Sequence, residues 1–213
     1  PDPGMSVYSD KVVKVLMPKE IAVINAWRRT FCRAFDPGDL KTLRELSAAA
    51  DRLWTRHLQA CARLRQATTD LQPVWPDSTP ARPRTTTKEK DELWAKEIRH
   101  PYSPYRRLKL AMDYWCALWF WPIEKADLLP TRDQFLMELS VLLGVTPQAV
   151  DKATQGEFAS LMVEVGGTPV QVQPNLDLND PSGVVNVETL CEKLPRLALV
   201  SEITERRRFF HWE

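Results

Sequence analysis

The feature that most constrains the fold is the distribution of glycine. The chain of 213 residues has seven glycines, and none lies between Gly38 and Gly144. Across this interval apolar residues recur every three or four positions, which is the spacing of a helix face. Scarce glycine and helical spacing together predict that the first two thirds of the chain are helical and that the fold class is mainly α.

Local start and stop signals divide this interval into separate helices. Pro18 is predicted to open one helix, which residues 36–38 end, and a longer helix is predicted from about Asp39. The short turn between them predicts an antiparallel hairpin. Another helix is expected to begin at Thr87. The apolar positions of the first two helices are Ile21, Ile24, Trp27, Phe31 and Phe35, and then Leu43, Leu46, Ala50, Leu53, Trp54, Leu58, Cys61 and Leu64.

The next two helices carry sharper signals. Ser103 is a predicted N-cap with Pro104 at the first helical position, and Pro122 is expected to end that helix. Thr131, with a glutamine three residues later, predicts a capping box, and Gly144 stands where a C-cap glycine is expected.

The C-terminal portion has a different pattern. Residues 71–86 and 165–185 are rich in proline and polar residues and are predicted to be loops. Residues 146–162 are predicted to form two short helices, residues 197–200 a short strand, and Ser201 to start a last helix.

These elements predict a helical, bundle-like insertion with a small α/β edge at its C-terminus. The predicted organisation is a helical domain over residues 1–143 with a disordered loop near 71–86. Short helices and a loop follow over 144–196, and residues 197–213 begin a truncated α/β element. A proline start without methionine, and an end in which charged residues run into aromatic ones, predict a piece of a larger protein.

Basic residues are concentrated in two segments. Residues 28–65 and residues 82–109 each hold nine Lys/Arg against four Asp/Glu, whereas residues 110–190 hold three against eleven. A basic face of this size suits nucleic-acid phosphates. Solvated helix faces, or pairing with the acidic segment, explain the pattern equally well. The candidate DNA-backbone contacts are Arg28, Arg29, Arg63, Arg65, Arg106, Arg107 and Lys109.

The sequence contains no motif that predicts catalysis. It has no glycine-rich phosphate loop, GxSxG, HExxH or CxxC, and its three histidines give no support for a zinc site. His57 is predicted to face the apolar side of its helix. The four cysteines lie far apart in apolar patterns and are predicted to be buried free thiols. With 44% hydrophobic and 27% charged residues and no apolar run of about 20 residues, a soluble cytoplasmic protein is expected.

The aromatic residues between 102 and 121 allow two interpretations. Exposed aromatics among arginines form base-stacking surfaces, whereas Trp and Phe at helical spacing usually pack in a core. Core packing is favoured, with Tyr105, Arg106, Arg107 and Lys109 expected at the surface and the rest of the block buried.

Two stretches together resemble a known family. They are SPYRRLKLAMDYWCALWFWP at residues 103–122 and RFFHWE at residues 208–213. They are similar to Eco57I-type adenine-specific DNA methyltransferases, in particular the methylase of class 1 DISARM phage-defence systems. Residues 5–31 also resemble that family's entry into the region between its cofactor-binding and catalytic motifs, so the resemblance spans most of the chain outside the two predicted loops.

The resemblance implies a parent enzyme that transfers a methyl group from S-adenosylmethionine to adenine N6 in double-stranded DNA after flipping the base. This chain has neither the family's cofactor-binding glycine motif nor its Asn-Pro-Pro-aromatic motif. No catalytic, cofactor-binding or metal-binding residue is therefore predicted, and the chain alone is expected to be inactive.

Two functional hypotheses follow. The first is a non-catalytic helical insertion or spacer of a bacterial restriction or phage-defence methyltransferase, which contacts the DNA backbone. The alternative is a structural or protein-interaction helical domain without nucleic-acid binding. The expected partners are the remainder of the methyltransferase, double-stranded DNA and other defence proteins, with no membrane partner.

Overall fold

The computed structural model describes residues 11–69, 85–145 and 186–209. Within these ranges 81% of the residues are helical and none belongs to a strand. The predicted mainly α class is therefore confirmed, whereas the predicted α/β edge is not found in this part of the chain. The calls on residues 71–84, 146–185 and 210–213 lie outside the described residues.

The described chain contains eight α-helices, a π-helical turn and a 3₁₀ segment. The α-helices are α1 (Lys11–Leu16), α2 (Pro18–Phe31), α3 (Pro37–Thr68), α4 (Thr87–Trp94), α5 (Pro104–Ala117), α6 (Arg132–Leu143), α7 (Val187–Lys193) and α8 (Pro195–Arg207). The π-helical turn (Ala95–Arg99) follows α4, and the 3₁₀ segment (Ile123–Leu128) lies between α5 and α6.

Several helix ends lie where the sequence signals put them. The Ser103 hydroxyl accepts a hydrogen bond of 3.3 Å from the backbone N–H three residues on, and Pro104 occupies the first position of α5. Thr131 and Gln134 form the predicted capping box of α6. Gly144 ends α6 in the left-handed region with φ 69°. These signals are local, so they do not depend on which helices pack together.

Other helix ends differ from the prediction by a few residues. Helix α4 begins at Thr87 as expected, with Thr86 as its cap. Helix α3 begins two residues before the predicted Asp39, and Asp36 caps it by accepting a 2.8 Å hydrogen bond from the backbone N–H of Asp39. Helix α5 ends at Ala117, one turn before the predicted break at Pro122. The chain tightens after this point, because the N–H groups of Trp119 and Phe120 bond to carbonyls three residues back instead of four.

The predicted hairpin of α2 and α3 is not the packing observed. Helix α2 packs mainly on the 3₁₀ segment, and α3 packs mainly on α5 and α6. The indole N–H of Trp27 donates to the carbonyl of Pro130 at 2.6 Å, which ties α2 to the start of α6. Phe35, predicted to extend the apolar face of α2, lies beyond the helix and is exposed.

Helix α6 occupies the centre of the fold. Nine of its twelve residues are buried, so it has almost no solvent face. It packs against α3 and α5. The core around it draws residues from both ends of the described chain, and its buried members are Trp27, Leu46, Ala49, Leu53, Leu110, Tyr114, Ala117, Leu118, Trp121, Phe135, Leu136, Val141, Leu142, Leu143, Val187, Leu190, Leu197, Leu199, Val200 and Ile203.

The predicted strand at residues 197–200 is wrong. These residues belong to α8, which begins at Pro195 and not at Ser201. Leu197, Val200 and Ile203 recur every three residues and are buried in the common core, where α8 packs on α5 and α7. A short apolar run cannot by itself distinguish a buried helix segment from a strand.

Arg132 fixes the connection between α2 and α3. Its Nε and Nη2 donate to the Phe31 carbonyl at 3.0 and 2.5 Å, and Nη2 also donates to the Arg33 carbonyl. Its Nη1 donates to the Ala34 carbonyl at 3.1 Å and to the Asp39 carboxylate at 2.9 Å. One buried guanidinium therefore satisfies the carbonyls at the C-terminal end of α2 and the acid at the start of α3.

We expect Arg132→Lys to lower the free energy of unfolding by about 3 kcal/mol, because an ammonium cannot reach all these buried acceptors. Urea denaturation measures the change. Arg33→Lys is the matched control: Arg33 is half-exposed and its ion pairs are 3.6 to 3.8 Å long, so a change within about 0.5 kcal/mol is expected. Equal losses in the two variants would contradict the role assigned to Arg132.

Candidate functional site

The seven residues predicted to contact DNA do not form one free basic surface. Lys109 Nζ lies 2.8 Å from the Asp113 carboxylate one turn along α5. Arg63 Nη2 lies 3.1 Å from Glu97 in the π-helical turn. Both cations are therefore paired within the protein, which lowers the charge that they can offer to a phosphate.

Two further ion pairs join the basic and acidic segments of the sequence. Arg106 Nη2 lies 3.5 Å from Glu188 of α7, and Arg33 Nη2 lies 3.8 Å from Asp133 of α6. Such pairs at a surface contribute about 0 to 1 kcal/mol each. They are the kind of intramolecular pairing that the alternative interpretation of the sequence predicted.

Arg107 was expected at the surface and is buried, with 7% of its area exposed. It lies on the inner side of α5, where its Nε donates to the Leu142 carbonyl at 2.7 Å. Burial and the charge of Arg56 lower the pKa of Arg107 to about 10. Its Nη2 would lie 2.7 Å from a Cβ at position 144, so Gly144 serves both the left-handed turn and this close approach. Arg107 is therefore an internal tie between α5 and α6 and not a DNA contact.

The remaining three predicted DNA contacts are more exposed to solvent than Arg107. Arg28 is half-buried, whereas Arg29 and Arg65 are exposed. Neither Arg29 nor Arg65 forms an ion pair with any residue that the structure describes. Of the seven candidates, these two keep the properties of a phosphate contact.

The aromatic block is divided differently from the prediction. Tyr114 and Trp121 are buried as expected, and Tyr105 is half-buried. Tyr102 was expected in the core and is 40% exposed. Three further aromatic residues expected there are exposed together with Met112, because α5 turns only one side towards α3, α6 and α8. Their exposed fractions are Met112 40%, Trp115 51%, Trp119 45% and Phe120 48%.

Three consecutive arginines lie beside this exposed aromatic group. Arg206, Arg207 and Arg208 are exposed at the end of α8, and none has a carboxylate partner among the described residues. The Arg207 guanidinium carbon lies 5.5 Å from the centroid of the Phe120 ring. Sequence reasoning noted the run of arginines but missed the site, because only packing brings α8 next to the end of α5.

Arg208 also adopts an unusual backbone conformation. Its φ of 51° and ψ of 61° are left-handed, and among the described residues no other residue except a glycine has positive φ. A side chain in this region costs about 1 kcal/mol or more relative to glycine. This position at a helix end usually holds glycine, so an arginine here retains charge at the expense of stability.

A buried carboxylate joins α5, α6 and α8. Glu138 is 1% exposed, and the hydroxyl of Tyr114 donates to its Oε2 at 2.5 Å. Arg196 of α8 donates to its Oε1 through Nε at 2.7 Å. Both carboxylate oxygens are therefore satisfied inside the protein, and the group acts as a cross-link between three helices.

These contacts shift the pKa values of the partners. Burial raises the pKa of Tyr114 well above its ordinary value of 10.0, and the neighbouring Glu138 charge raises it further. For Arg196, burial lowers the pKa, but the hydrogen bond and charge of Glu138 outweigh it and the net direction is upwards. Each shift favours the protonation state that binds the Glu138 carboxylate.

His57 and Cys61 are neighbours on α3. His57 is buried, as predicted, between the rings of Trp54 and Tyr105 at 5.5 and 5.4 Å. Its Nε2 lies 3.6 Å from the Cys61 thiol. All four cysteines are free, as predicted, but none is fully buried: one is exposed and three are half-buried. The predicted burial of the thiols is therefore wrong.

Two other kinds of site are absent from the described residues. No group of three or more His, Cys, Asp or Glu is placed to hold a metal ion in these ranges. No helix among them has the length and apolar composition needed to cross a membrane.

Comparison with protein-family models, curated proteins and solved structures gives no match to this chain.

We expect Tyr114→Phe to lower the free energy of unfolding by about 2 kcal/mol, since it removes a buried hydrogen bond to a charged group. Glu138→Gln removes the charge that faces Arg196 and is expected to cost more, about 3 kcal/mol. The raised pKa of Tyr114 means that the folded protein holds a proton that the unfolded chain loses above about pH 10, so wild-type stability falls as the pH rises there. Denaturation against pH should show a shallower fall in Tyr114→Phe, and identical slopes would contradict the assignment.

We expect Arg208→Gly to raise the free energy of unfolding by about 0.5 to 1 kcal/mol, because glycine adopts the left-handed conformation without strain. Arg206→Gly, within α8, is the matched control and should lower stability by about 1 kcal/mol. Thermal melting of the two variants distinguishes them. A loss of stability in both would mean that the backbone at Arg208 is not left-handed.

Proposed function

We propose that this chain is a non-catalytic helical region of an adenine-specific DNA methyltransferase that uses S-adenosylmethionine and belongs to a bacterial restriction or phage-defence system. The resemblance of residues 103–122 and 208–213 supports the identity of the enzyme. The mainly helical fold agrees with an insertion or spacer, since a methyltransferase core requires a sheet. The remainder of the enzyme supplies the cofactor site and the catalytic motif in the cytoplasm.

The contribution of this region is an electrostatic contact to the DNA backbone. The observation that carries this proposal is the group of three exposed arginines, Arg206, Arg207 and Arg208, without carboxylate partners in the described chain. Three adjacent positive charges repel one another and are favoured where phosphates neutralise them. Arg29 and Arg65 provide further positive charge that is not paired with any described residue.

A second candidate function is protein interaction without DNA binding. The observation that favours it is the exposed apolar face of α5, on which Met112 and Trp115 lie about one helical turn apart, with the exposed Trp119 following just after the helix ends. Tryptophan and methionine are enriched in protein interfaces. In this second function, the apolar face of α5 packs against the remainder of the same methyltransferase.

We expect the chain to bind duplex DNA of about 20 base pairs without sequence preference, and the binding constant to fall steeply between about 50 and 200 mM salt. Fluorescence anisotropy with labelled duplexes of unrelated sequence measures both properties. The double variant Arg206→Gln/Arg207→Gln should bind every duplex more weakly and lower the salt slope by about 2, because each phosphate contact contributes about 1.

Arg63→Gln is the matched control, because Arg63 is also exposed but is paired with Glu97. We expect its salt slope to change by less than about 0.5. Absence of duplex binding at the lowest salt would reject the DNA contact and leave the protein-interaction function. Equal effects of the control and the double variant would reject the arginine group as the contact.

A further inference from the structure

The chain just after α5 and the end of α8 form an aromatic and basic corner. Phe120, Phe209 and Arg207 contact one another there, and the corner includes their chain neighbours Trp119 and Arg206. The Phe120 and Phe209 rings are 5.4 Å apart between centroids. The guanidinium carbon of Arg207 lies 5.5 Å from the centroid of the Phe120 ring. The rings are thus held in place by their neighbours while Phe120 remains about half exposed.

The aromatic surface extends from this corner along α5. Trp115 lies in the last turn of α5, and Trp119 follows two residues after the helix ends. Both indoles are about half exposed. Half-exposed indoles offer flat π-faces to a ligand.

The positive charges of Arg206 and Arg207 decide which class of ligand this corner fits. A protein that covered this corner would bury Arg206 and Arg207, and a buried charge without a partner is strongly unfavourable. A nucleic-acid strand brings a phosphate with every base, so it supplies an anion for each arginine and a ring for each aromatic side chain. Exposed aromatics among arginines are the arrangement by which proteins hold unpaired bases.

We propose that this corner binds single-stranded DNA by stacking unpaired bases on Trp119 and Phe120, while Arg206 and Arg207 contact the adjoining phosphates. The inference rests on the proposed DNA contact and adds that the contact includes bases, which duplex DNA keeps stacked inside the helix. Binding is tolerant of sequence, because every base has a π-face.

The test compares two labelled strands of about ten nucleotides, one of thymidines and one of abasic sites with the same number of phosphates. At equal salt we expect the wild-type chain to bind the thymidine strand about tenfold more tightly, since one stacked base contributes about 1 to 3 kcal/mol. Binding of the thymidine strand should also quench tryptophan fluorescence. This comparison needs no variant, so it does not depend on the folding of any mutant.

The variant Trp119→Leu/Phe120→Leu tests whether the bases stack at this corner. It should bind the two strands equally, while its duplex binding and salt slope stay at wild-type values. Trp94→Leu is the matched control, since Trp94 is 44% exposed on α4, which packs on the π-helical turn and α3. This control should keep the preference for thymidine. Circular dichroism and melting verify that each variant is folded.

Three results would overturn the inference. Equal binding of the two strands by the wild type, with salt-dependent duplex binding intact, rejects stacking and leaves the proposed backbone contact standing. No binding of any DNA rejects both. A self-associated wild type that becomes monomeric in Trp119→Leu/Phe120→Leu, measured by sedimentation, identifies the corner as an interface between copies of the chain instead.

Discussion

The burial of α6 is the constraint on which the other described helices depend. A helix with almost no solvent face must find partners inside the protein for its buried charges, Arg132 and Glu138. Arg132, at its first turn, binds the end of α2 and the start of α3. Glu138, one and a half turns later, binds Tyr114 of α5 and Arg196 of α8. Buried ion pairs of this kind contribute little net stability, but the loss of one partner is costly, so they restrict the helices to one arrangement.

The same packing decides which positive charges are available to a ligand. Arg107 and Arg132 are used inside the protein, and Lys109 is paired along its own helix. The arginines at the end of α8 have no such role in the described chain. Their position beside exposed rings, and the strained backbone of Arg208, distinguish this corner from the rest of the surface. Strain that persists in a folded protein is consistent with selection for a function.

Much of the local structure could be predicted from the sequence, because capping and turn residues act over three or four positions. The cap at Ser103, the box at Thr131 and the left-handed Gly144 all follow from residue type and spacing. The apolar run at 197–200 gave the wrong element, since strands and buried helices use the same residues. The candidate site was predicted less well: two of its seven residues, Arg29 and Arg65, are exposed and unpaired in the described chain.

The sequence by itself determined where most helices begin and end and that the class is mainly α. The tertiary structure alone decided which side of each helix is covered. Helical spacing shows that a helix has an apolar face, but α5 has apolar residues nearly all round, so its own sequence does not choose between Tyr114 and Trp115. The choice depends on contacts with α3, α6 and α8, which are distant in sequence, and it places Arg107 inside and leaves Phe120 beside Arg207.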